Sequence, residues 1–381
     1  MRIAMLGIKG LPPRYSGFET AVDEISRRLV QFGHEVVVYN RTGLSTHPAK
    51  DYHGVQLVTL PTVQTKNLSA IVHSALSTLN VLFRPVDVVH YFITGTTLFA
   101  FLPRLFGKKV VCSVDGTDWQ RAKWGRLARA YLKLSERLAV LFCNAIIADS
   151  REVQDYYREK YGVDATLITY GVHDSVSTRG EWLERLGLSP REYVLFVGRL
   201  VPENCVHHLI AAYQQLRTDK KLVIVGDDPW GKTYIGRLKS TLDSRIIFTG
   251  GIYGEGYAEL QKNAYLFVLP DEVGGTHPAL VEAMGFGNCV LVNDTPSNLE
   301  VISDSGFSYQ GAQEERDLCR QMQMLIDNPS VVAEYRRKAR EYARASYTWE
   351  RVVLQHEHLY RHLLGFSEDR LALSAKSSAS D

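Results

Sequence analysis

The stretch Asp271–Gly287, DEVGGTHPALVEAMGFG, combines residue types that suit a phosphate-bearing ligand. It follows the apolar run AYLFVLP (264–270), which predicts a buried strand. Gly274 and Gly275 permit close backbone approach, Thr276 is a candidate helix cap, and Pro278 suits a first helical turn. Because the first N–H groups of a helix are unpaired and carry partial positive charge, those of residues 275 to 277 would face an anion.

Glu282 lies on the helix that this stretch predicts. Its carboxylate could hold the two hydroxyls of a ribose. It could equally serve only to complement the partial positive charge at the N-terminal end of the helix. The sequence leaves both interpretations open.

A second candidate is VGRLVPEN (197–204), at the end of another predicted strand. Arg199 would point from the strand end towards a ligand, where a guanidinium can neutralise a leaving diphosphate. The alternative is an ion pair with Glu203 at the surface.

A third candidate is the glycine-containing loop GIKGLPPRYSGFET (7–20), which follows the first predicted strand. Its glycines, including Gly17, do not form GxGxxG, and the next strand, EVVVYN (35–40), has no acidic residue at its end to hold a ribose. This pattern argues against a nicotinamide-dependent dehydrogenase. Gly17 could also serve only the geometry of a turn.

Asp115 ends the run KKVVCSVD and opens DGTDWQRAKWG (115–125). It could contact a donor sugar or an acceptor, or act as a base, and it could equally cap the following helix. The segment 121–137 is then rich in basic residues, which is typical of a helix on an anionic membrane and also of a solvated helix.

The elements that would position these residues are short apolar runs alternating with amphipathic segments. One series runs from RIAMLGI (2–8) to NAIIADS (144–150), and a second runs from YVLFVGRL (193–200) to NCVLVND (288–294). This alternation predicts an α/β fold with two Rossmann-like, doubly wound domains facing a central cleft. The expected division is residues 1–180 and 181–348, followed by a helix over 349–365 that packs back on the first domain and a disordered tail over 366–381.

Composition sets the class of protein. The chain has 381 residues, 23% charged and 45% hydrophobic, with a net charge of +2, which is ordinary for a globular protein of about two domains. Five widely spaced cysteines without CxxC indicate a reducing compartment and no structural zinc. The uncharged run 88–103 is shorter than the ~20 apolar residues of a membrane span, and the N-terminus lacks a signal-peptide layout, so a cytoplasmic location is expected.

The chain resembles, nearly end to end, the retaining glycosyltransferases of family 4, which have the GT-B fold. The resemblance rests on residues 12–41, on FVGRLVPEN (196–204) and on GGTHPALVEAMGFGNCVLVND (274–294). DGTDWQRAKWG is similar to the signature of a subgroup that includes bacterial polysaccharide rhamnosyltransferases.

The resemblance implies a role for each matching residue. Gly17 would meet the donor phosphates, Arg199 would bind the diphosphate, and Glu282 would hold the ribose. The backbone of Gly275, Thr276 and His277 would bind diphosphate. The base would lie near residues after the run RIIFTGG (245–251), namely Gly251, Ile252 and Tyr253.

Three positions depart from the family pattern. Asn204 stands where a lysine is usual, five residues after the arginine, and Gly274 stands where the first of two glutamates is usual. Asp115 stands where many members have histidine. Asn204 and Gly274 nevertheless remain candidate donor-binding positions.

The resulting expectation is a hexosyltransferase that moves a sugar, with rhamnose favoured, from a dTDP- or UDP-linked donor to a glycan, with retention. The acceptor would be a lipid-linked glycan at the cytoplasmic face of the membrane; no nucleic acid partner and no further cofactor are expected. No DxD-type metal site is evident, so no metal is expected. The alternatives are a sugar-nucleotide epimerase of the same fold and a non-catalytic subunit, the latter motivated by Asn204 and Gly274.

Overall fold

A computed structural model describes residues 1–13, 17–43, 49–63, 65, 68–114, 116, 119, 124–173, 180–228 and 231–366. Within these ranges the chain forms two mainly parallel sheets, each covered by helices.

The first half builds a sheet of eight strands in the order β3-β4-β2-β1-β5-β6-β7-β8, in which only β3 runs antiparallel to its neighbour. Its elements are β1 (Arg2–Leu6), α1 (Gly17–Gln31), β2 (Glu35–Arg41), β3 (Asp51–Tyr52), β4 (Val55–Leu60), α2 (Leu68–Leu82), β5 (Val88–Phe92), a 3₁₀ helix (Thr94–Phe99), α3 (Phe101–Leu105), β6 (Lys109–Val114), α4 (Arg126–Phe142), β7 (Ala145–Ala148), α5 (Arg151–Tyr161) and β8 (Thr166–Leu167).

The second half builds a six-stranded parallel sheet in the order β11-β10-β9-β12-β13-β14. Its elements are α6 (Glu181–Arg185), β9 (Tyr193–Val197), a 3₁₀ helix (Pro202–Asn204), α7 (Val206–Gln214), β10 (Lys221–Val225), α8 (Lys232–Leu238), β11 (Ile246–Gly250), α9 (Gly254–Asn263), β12 (Leu266–Leu269), α10 (Pro278–Gly285), β13 (Cys289–Asn293), α11 (Pro296–Ile302), β14 (Phe307–Tyr309), a 3₁₀ helix (Gly311–Gln313), α12 (Glu314–Asp327) and α13 (Pro329–Ser346).

The central strands are buried along their whole length, as β5, β12 and β13 illustrate. Runs such as VVHYF and CVLVN are apolar at nearly every position because helices cover both faces of a parallel sheet, so that no strand face meets water. The predicted α/β class with two Rossmann-like domains is confirmed.

The last helix, α14 (Trp349–Leu363), contacts α1 and joins the core of the first half. Trp349, Val353 and Tyr360 are buried there, and His34 Nε2 lies 2.8 Å from Glu357 Oε1. The chain therefore crosses back after α13. The division at residue 180 stays a prediction, since residues 174–179 lie outside the described ranges.

In each sheet, successive strands are added first towards one edge and then, from one point onwards, towards the other edge. In the first sheet this lies between β1 and β5, and in the second between β9 and β12. Connections leave such a pair of strands in opposite directions, which opens a crevice at the carboxyl ends where α/β proteins bind ligands. The loops after β1, β9 and β12 are the three that the sequence singles out.

Candidate functional site

The second crevice brings together the two predicted segments of the second half. Residues 198–204 leave β9, and residues 270–277 leave β12, the strand hydrogen-bonded beside it. A backbone hydrogen bond from Glu272 N to Glu203 O, 3.2 Å long, joins the two segments directly.

Arg199 lies on the loop after β9 and is partly exposed. Asn204 Nδ2 donates to the carbonyl oxygen of Arg199 over 3.0 Å, and Asn204 is buried. The Asn204 side chain therefore holds the loop of Arg199 in shape. An amide so used provides no positive charge, in contrast to the lysine that is usual at this position.

Helix α10 begins at Pro278, as the sequence predicts, and its N-terminus directly follows the loop that leaves β12. The expectation that Thr276 caps this helix is wrong. His277 is the capping residue, without a side-chain cap hydrogen bond, while Thr276 Oγ1 donates over 2.6 Å to the carbonyl oxygen of Asp149 in the first half. The hydroxyl bonds across the cleft, so the backbone N–H groups at this helix start keep no side-chain cap.

Three places in the first half, at Gly17, Gly116 and Asp149, lie against this helix start. A Cβ added at Gly17 would lie 2.5 Å from Pro278 Cγ, and one added at Gly116 would lie 3.3 Å from Gly275 N. A Cβ added at Gly275 would lie 2.1 Å from Asp149 Oδ1. Because no side chain fits at Gly17 or Gly275, the two glycines allow the halves of the molecule to touch at the candidate anion site.

Glu282 lies four residues inside α10 and is 9% exposed. The hydroxyl of Tyr257 on α9 donates to Glu282 Oε2, and Gln261 Nε2 donates to the Tyr257 hydroxyl over 3.1 Å. Burial raises the pKa of Glu282 to about 7; the hydrogen bond from Tyr257 opposes this shift and the negative charge of Glu24 on α1 adds to it. A buried carboxylate with one protein donor retains acceptor capacity for ligand hydroxyls.

Gly274 adopts φ 151°, a conformation that favours glycine. A Cβ there would lie 3.0 Å from His277 Cε1, so the imidazole occupies the direction in which a side chain would leave. His277 Nδ1 in turn lies 3.5 Å from Asp271 Oδ2. A His–Asp pair therefore lies where related enzymes usually carry the first glutamate.

The predicted base-binding residues lie at the end of β11, beside β10 in the same sheet. Gly250 has φ 73° and turns the chain, Ile252 is buried, and Tyr253 is 55% exposed at the start of α9. An exposed tyrosine ring offers a flat apolar face on which a nucleobase can stack.

Lys9 is a cleft residue that the sequence analysis did not single out. It follows β1, and its backbone N–H donates to Glu19 Oε1 over 3.3 Å. Burial lowers the pKa of Lys9 to about 8; the positive charges of Arg41 and Arg199 act in the same direction, and the carboxylates of Glu19 and Asp228 oppose it. Lys9 of the first half thus lies within electrostatic reach of Arg199 of the second. Asp149, also missed, directly follows β7 within the predicted run NAIIADS (144–150), and that position was the only signal in the sequence.

Two expectations concern residues outside the described ranges. One is the role of Asp115 and the segment after it, since Asp115 and most of residues 117–123 are not described. The other is the predicted tail from residue 367 onwards. The five cysteines are all described and are thiols, four of them buried.

Family models match the two halves of the chain separately. Residues 179–346 match the model described as "Glycosyl transferases group 1", and residues 1–173 match a domain of unknown function, DUF1972. The second half is therefore similar to the group 1 glycosyltransferases.

Curated relatives match over most of the chain. An uncharacterized glycosyltransferase of Methanocaldococcus jannaschii is 23% identical over 92% of this chain and 96% of its own length. The N-acetylgalactosamine-N,N'-diacetylbacillosaminyl-diphospho-undecaprenol 4-alpha-N-acetylgalactosaminyltransferase of Campylobacter jejuni is 21% identical over 74% of this chain and 77% of its own length.

Solved structures show the fold. HepE of Anabaena, in complex with UDP and glucose, superposes with a TM-score of 0.77 at 18% identity, covering 94% of this chain and 99% of that one. The protein therefore has the GT-B architecture that the sequence predicts.

Proposed function

We propose that this protein is a retaining glycosyltransferase whose second half binds a nucleotide-diphosphate sugar in the crevice between β9 and β12. The observation that carries the proposal is that groups suited to each part of a nucleotide diphosphate lie together in this crevice. Arg199, the side-chain-uncapped start of α10 and the buried carboxylate of Glu282 all belong to this crevice, and Gly17 of the first half closes against it. Arg199 offers a cation to phosphate, the start of α10 offers N–H donors to phosphate, and Glu282 offers an acceptor to the ribose hydroxyls.

The diphosphate would be held by charge from both halves. Arg199 supplies one cation from the second half. Lys9 supplies another from the first half, in place of the lysine that Asn204 replaces. Binding the donor would then draw the two halves together, because the negative diphosphate attracts a positive charge on each half.

The reaction would proceed at the anomeric carbon. The bond between this carbon and the β-phosphate oxygen breaks, and a bond to the acceptor oxygen forms on the same face of the sugar. The acceptor proton passes to the departing phosphate oxygen. Arg199, Lys9 and the N–H groups at the start of α10 stabilise the negative charge that grows on the diphosphate, which is where a transferase gains most of its rate.

The donor sugar is proposed as rhamnose linked to dTDP, on the resemblance of residues 115–125 to rhamnosyltransferases. UDP-linked hexoses are the second group of donors to test, since HepE was solved with UDP and glucose. Tyr253 would stack on the base in either case.

The acceptor is proposed as a glycan on a lipid diphosphate, in bacterial surface polysaccharide synthesis. The Campylobacter relative is named for an acceptor on diphospho-undecaprenol. Among the described residues no helix is both long and apolar enough to cross a membrane. A protein that uses a lipid-linked acceptor needs a surface that can lie on the bilayer.

Helix α4 of the first half has the composition for such a surface. Leu127, Leu134 and Leu141 are 89%, 49% and 63% exposed, and they recur every seven residues along one side. Basic residues flank them, and the one acidic residue of the helix, Glu136, is buried and paired with Lys160. An exposed row of leucines among basic side chains suits an anionic membrane surface.

The test is a transfer assay with the full chain. The purified protein is incubated with dTDP-rhamnose, UDP-glucose, UDP-N-acetylgalactosamine and a polyprenyl-diphosphate-linked oligosaccharide in anionic vesicles. Lengthening of the acceptor by one sugar with one donor supports the proposal, and the anomeric configuration of the product tests retention. Absence of transfer from every donor, with nucleotide binding intact, would contradict it.

A non-catalytic subunit is the second candidate, and two positions favour it. Gly274 provides no carboxylate for the donor sugar and Asn204 provides no cation. This candidate predicts nucleotide binding without transfer or donor hydrolysis. The epimerase alternative is separated in the same assay, because an epimerase converts the donor sugar when no acceptor is present.

A further inference from the structure

Three side chains with metal-binding atoms cluster on the second half, beside the loop of Arg199. The thiol of Cys205, the imidazole of His208 and the carboxylate of Glu272 each place a ligand atom within 4.8 Å of the other two. Cys205 is buried, His208 is half-buried and Glu272 is exposed. The donor site proposed above uses none of the three.

The three residues come from two segments of the second half. Cys205 precedes α7, His208 lies in the first turn of that helix, and Glu272 follows β12. The segments also meet through the hydrogen bond between Glu272 N and Glu203 O. A metal ion at this place would therefore clip the loop after β9 to the loop after β12.

A carboxylate outside the cluster orients the imidazole. His208 Nδ1 lies 2.9 Å from Glu315 Oε1 on α12, and this contact lowers the pKa of Glu315. A carboxylate on one ring nitrogen fixes the tautomer, so the other nitrogen carries the lone pair that a metal takes; metal-binding histidines are held in this way in most proteins.

Against the expectation drawn from the cysteine spacing, we propose that Cys205, His208 and Glu272 form a site for a divalent transition metal of the zinc class, with Glu315 orienting His208. One thiolate, one imidazole and one carboxylate are ligands that Zn²⁺ accepts, and a fourth tetrahedral position is left for water. The Cys205 thiol loses its proton to solvent as the sulfur–metal bond forms. The site shapes the loop that carries Arg199; it takes no part in the transfer reaction.

The experiment measures metal directly, with no nucleotide present. The full chain is expressed in zinc-supplemented medium, dialysed, and analysed for metal, then stripped and titrated with Co²⁺. We expect one equivalent of bound zinc and, with Co²⁺, a near-ultraviolet thiolate-to-cobalt charge-transfer band. Cys205→Ser should abolish the band, and Glu272→Gln, at an exposed position, should weaken Co²⁺ binding at least tenfold without unfolding the chain.

Matched controls are available beside and away from the cluster. His207→Gln changes the exposed neighbour of His208, and Cys319→Ser changes the half-exposed thiol of α12; neither should alter binding, whereas Glu315→Gln should weaken it about 10- to 100-fold. Substoichiometric zinc in the wild type, Co²⁺ bound without the charge-transfer band, or equal losses in His207→Gln and His208→Gln would each overturn the proposal.

Discussion

The two crevices of the molecule, at β1/β5 and at β9/β12, have the same topology but different chemistry. The second presents a helix N-terminus without a side-chain cap, a cation and a buried carboxylate. The first presents Lys9 and close-packed glycines. A Cβ added at one of these glycines, Gly7, would lie 2.2 Å from Phe92 O. We therefore propose that the second crevice recognises the donor and that the first completes the site by approaching it.

The largest expected effect comes from removing the cation of the second crevice. Arg199→Ala should lower the rate of transfer about 100-fold or more, because charge on the leaving diphosphate loses a preorganised partner. The rate is measured with saturating donor and acceptor. Arg237→Ala, which removes an exposed arginine of α8 in the same half, is the control and should leave the rate unchanged. Equal losses in both variants would contradict the assignment of Arg199.

The next effect tests the approach of the two halves. Gly275→Ala places a Cβ where Asp149 Oδ1 lies 2.1 Å away, so the halves must separate. Transfer should fall roughly 10- to 100-fold, since small displacements of reacting groups have effects of this size. Nucleotide affinity should change little, because the second crevice alone provides most contacts.

Asp149→Ala in the Gly275→Ala background provides the decisive comparison. Removing the carboxylate makes room for the new methyl group, so transfer should recover in the double variant. A failure to recover would mean that Gly275 is needed for the shape of its own loop.

Glu282→Gln should have opposite effects on ligand affinity and on the free energy of unfolding. Affinity for the nucleoside diphosphate should fall about tenfold, as expected for loss of a charged hydrogen-bond acceptor. The folded pKa of about 7 lies above the unfolded value of 4.5. Stability attributable to the protonated carboxyl is therefore present below pH 4.5 and is lost as the pH rises to about 7.

At pH 8 the variant should consequently be more stable than the wild type, by up to roughly 3 kcal/mol. Urea unfolding at pH 8 measures the difference, with Glu184→Gln, an exposed position on α6, as the control. Loss of both stability and affinity would show that Glu282 is a structural residue.

The smallest expected effect is the pH dependence that Lys9 confers. With a pKa of about 8 in the free protein, Lys9 is charged below that pH. Diphosphate binding raises this pKa, so affinity should be constant below pH 8 and fall above it. Titration calorimetry from pH 7 to 9.5 measures the trend. Lys9→Gln should bind several-fold more weakly at pH 7 and lose the pH dependence, whereas a parallel pH profile in both proteins would exclude Lys9 from the site.

The sequence predicts the elements better than it predicts the contacts between them. Strands such as β9, β12 and β13, and the helix that begins at Pro278, are recognisable because apolar runs and prolines report local structure. No element was predicted for residues 51–82, where β3, β4 and α2 lie. β3 has only two residues, β4 carries the polar residues Gln56 and Thr59 among its apolar ones, and α2 is apolar around much of its surface.

The errors concern partners that are distant in the chain. Thr276 was expected to cap α10 because threonine is a common capping residue and Pro278 suits a first helical turn, but its acceptor, Asp149 O, is 127 residues away. Lys9 approaches Arg199 only because two sheets face each other. Sequence spacing carries no information on such pairs, whereas Arg199 and Gly275 could be proposed as donor residues because they come soon after β9 and β12 in the chain.

The most direct test of the central claim is a thermal-shift titration of UDP, GDP and dTDP against the wild type, Arg199→Ala and Glu282→Gln. A nucleotide at 100 times its dissociation constant adds about 2.7 kcal/mol to the free energy of unfolding, equivalent to roughly 5 to 10 °C for a domain of this size. The account predicts such a shift in the wild type for one nucleotide and a much smaller shift in both variants at the same concentration. No shift with any nucleotide, or an undiminished shift in both variants, would contradict the assignment of the donor to the β9/β12 crevice.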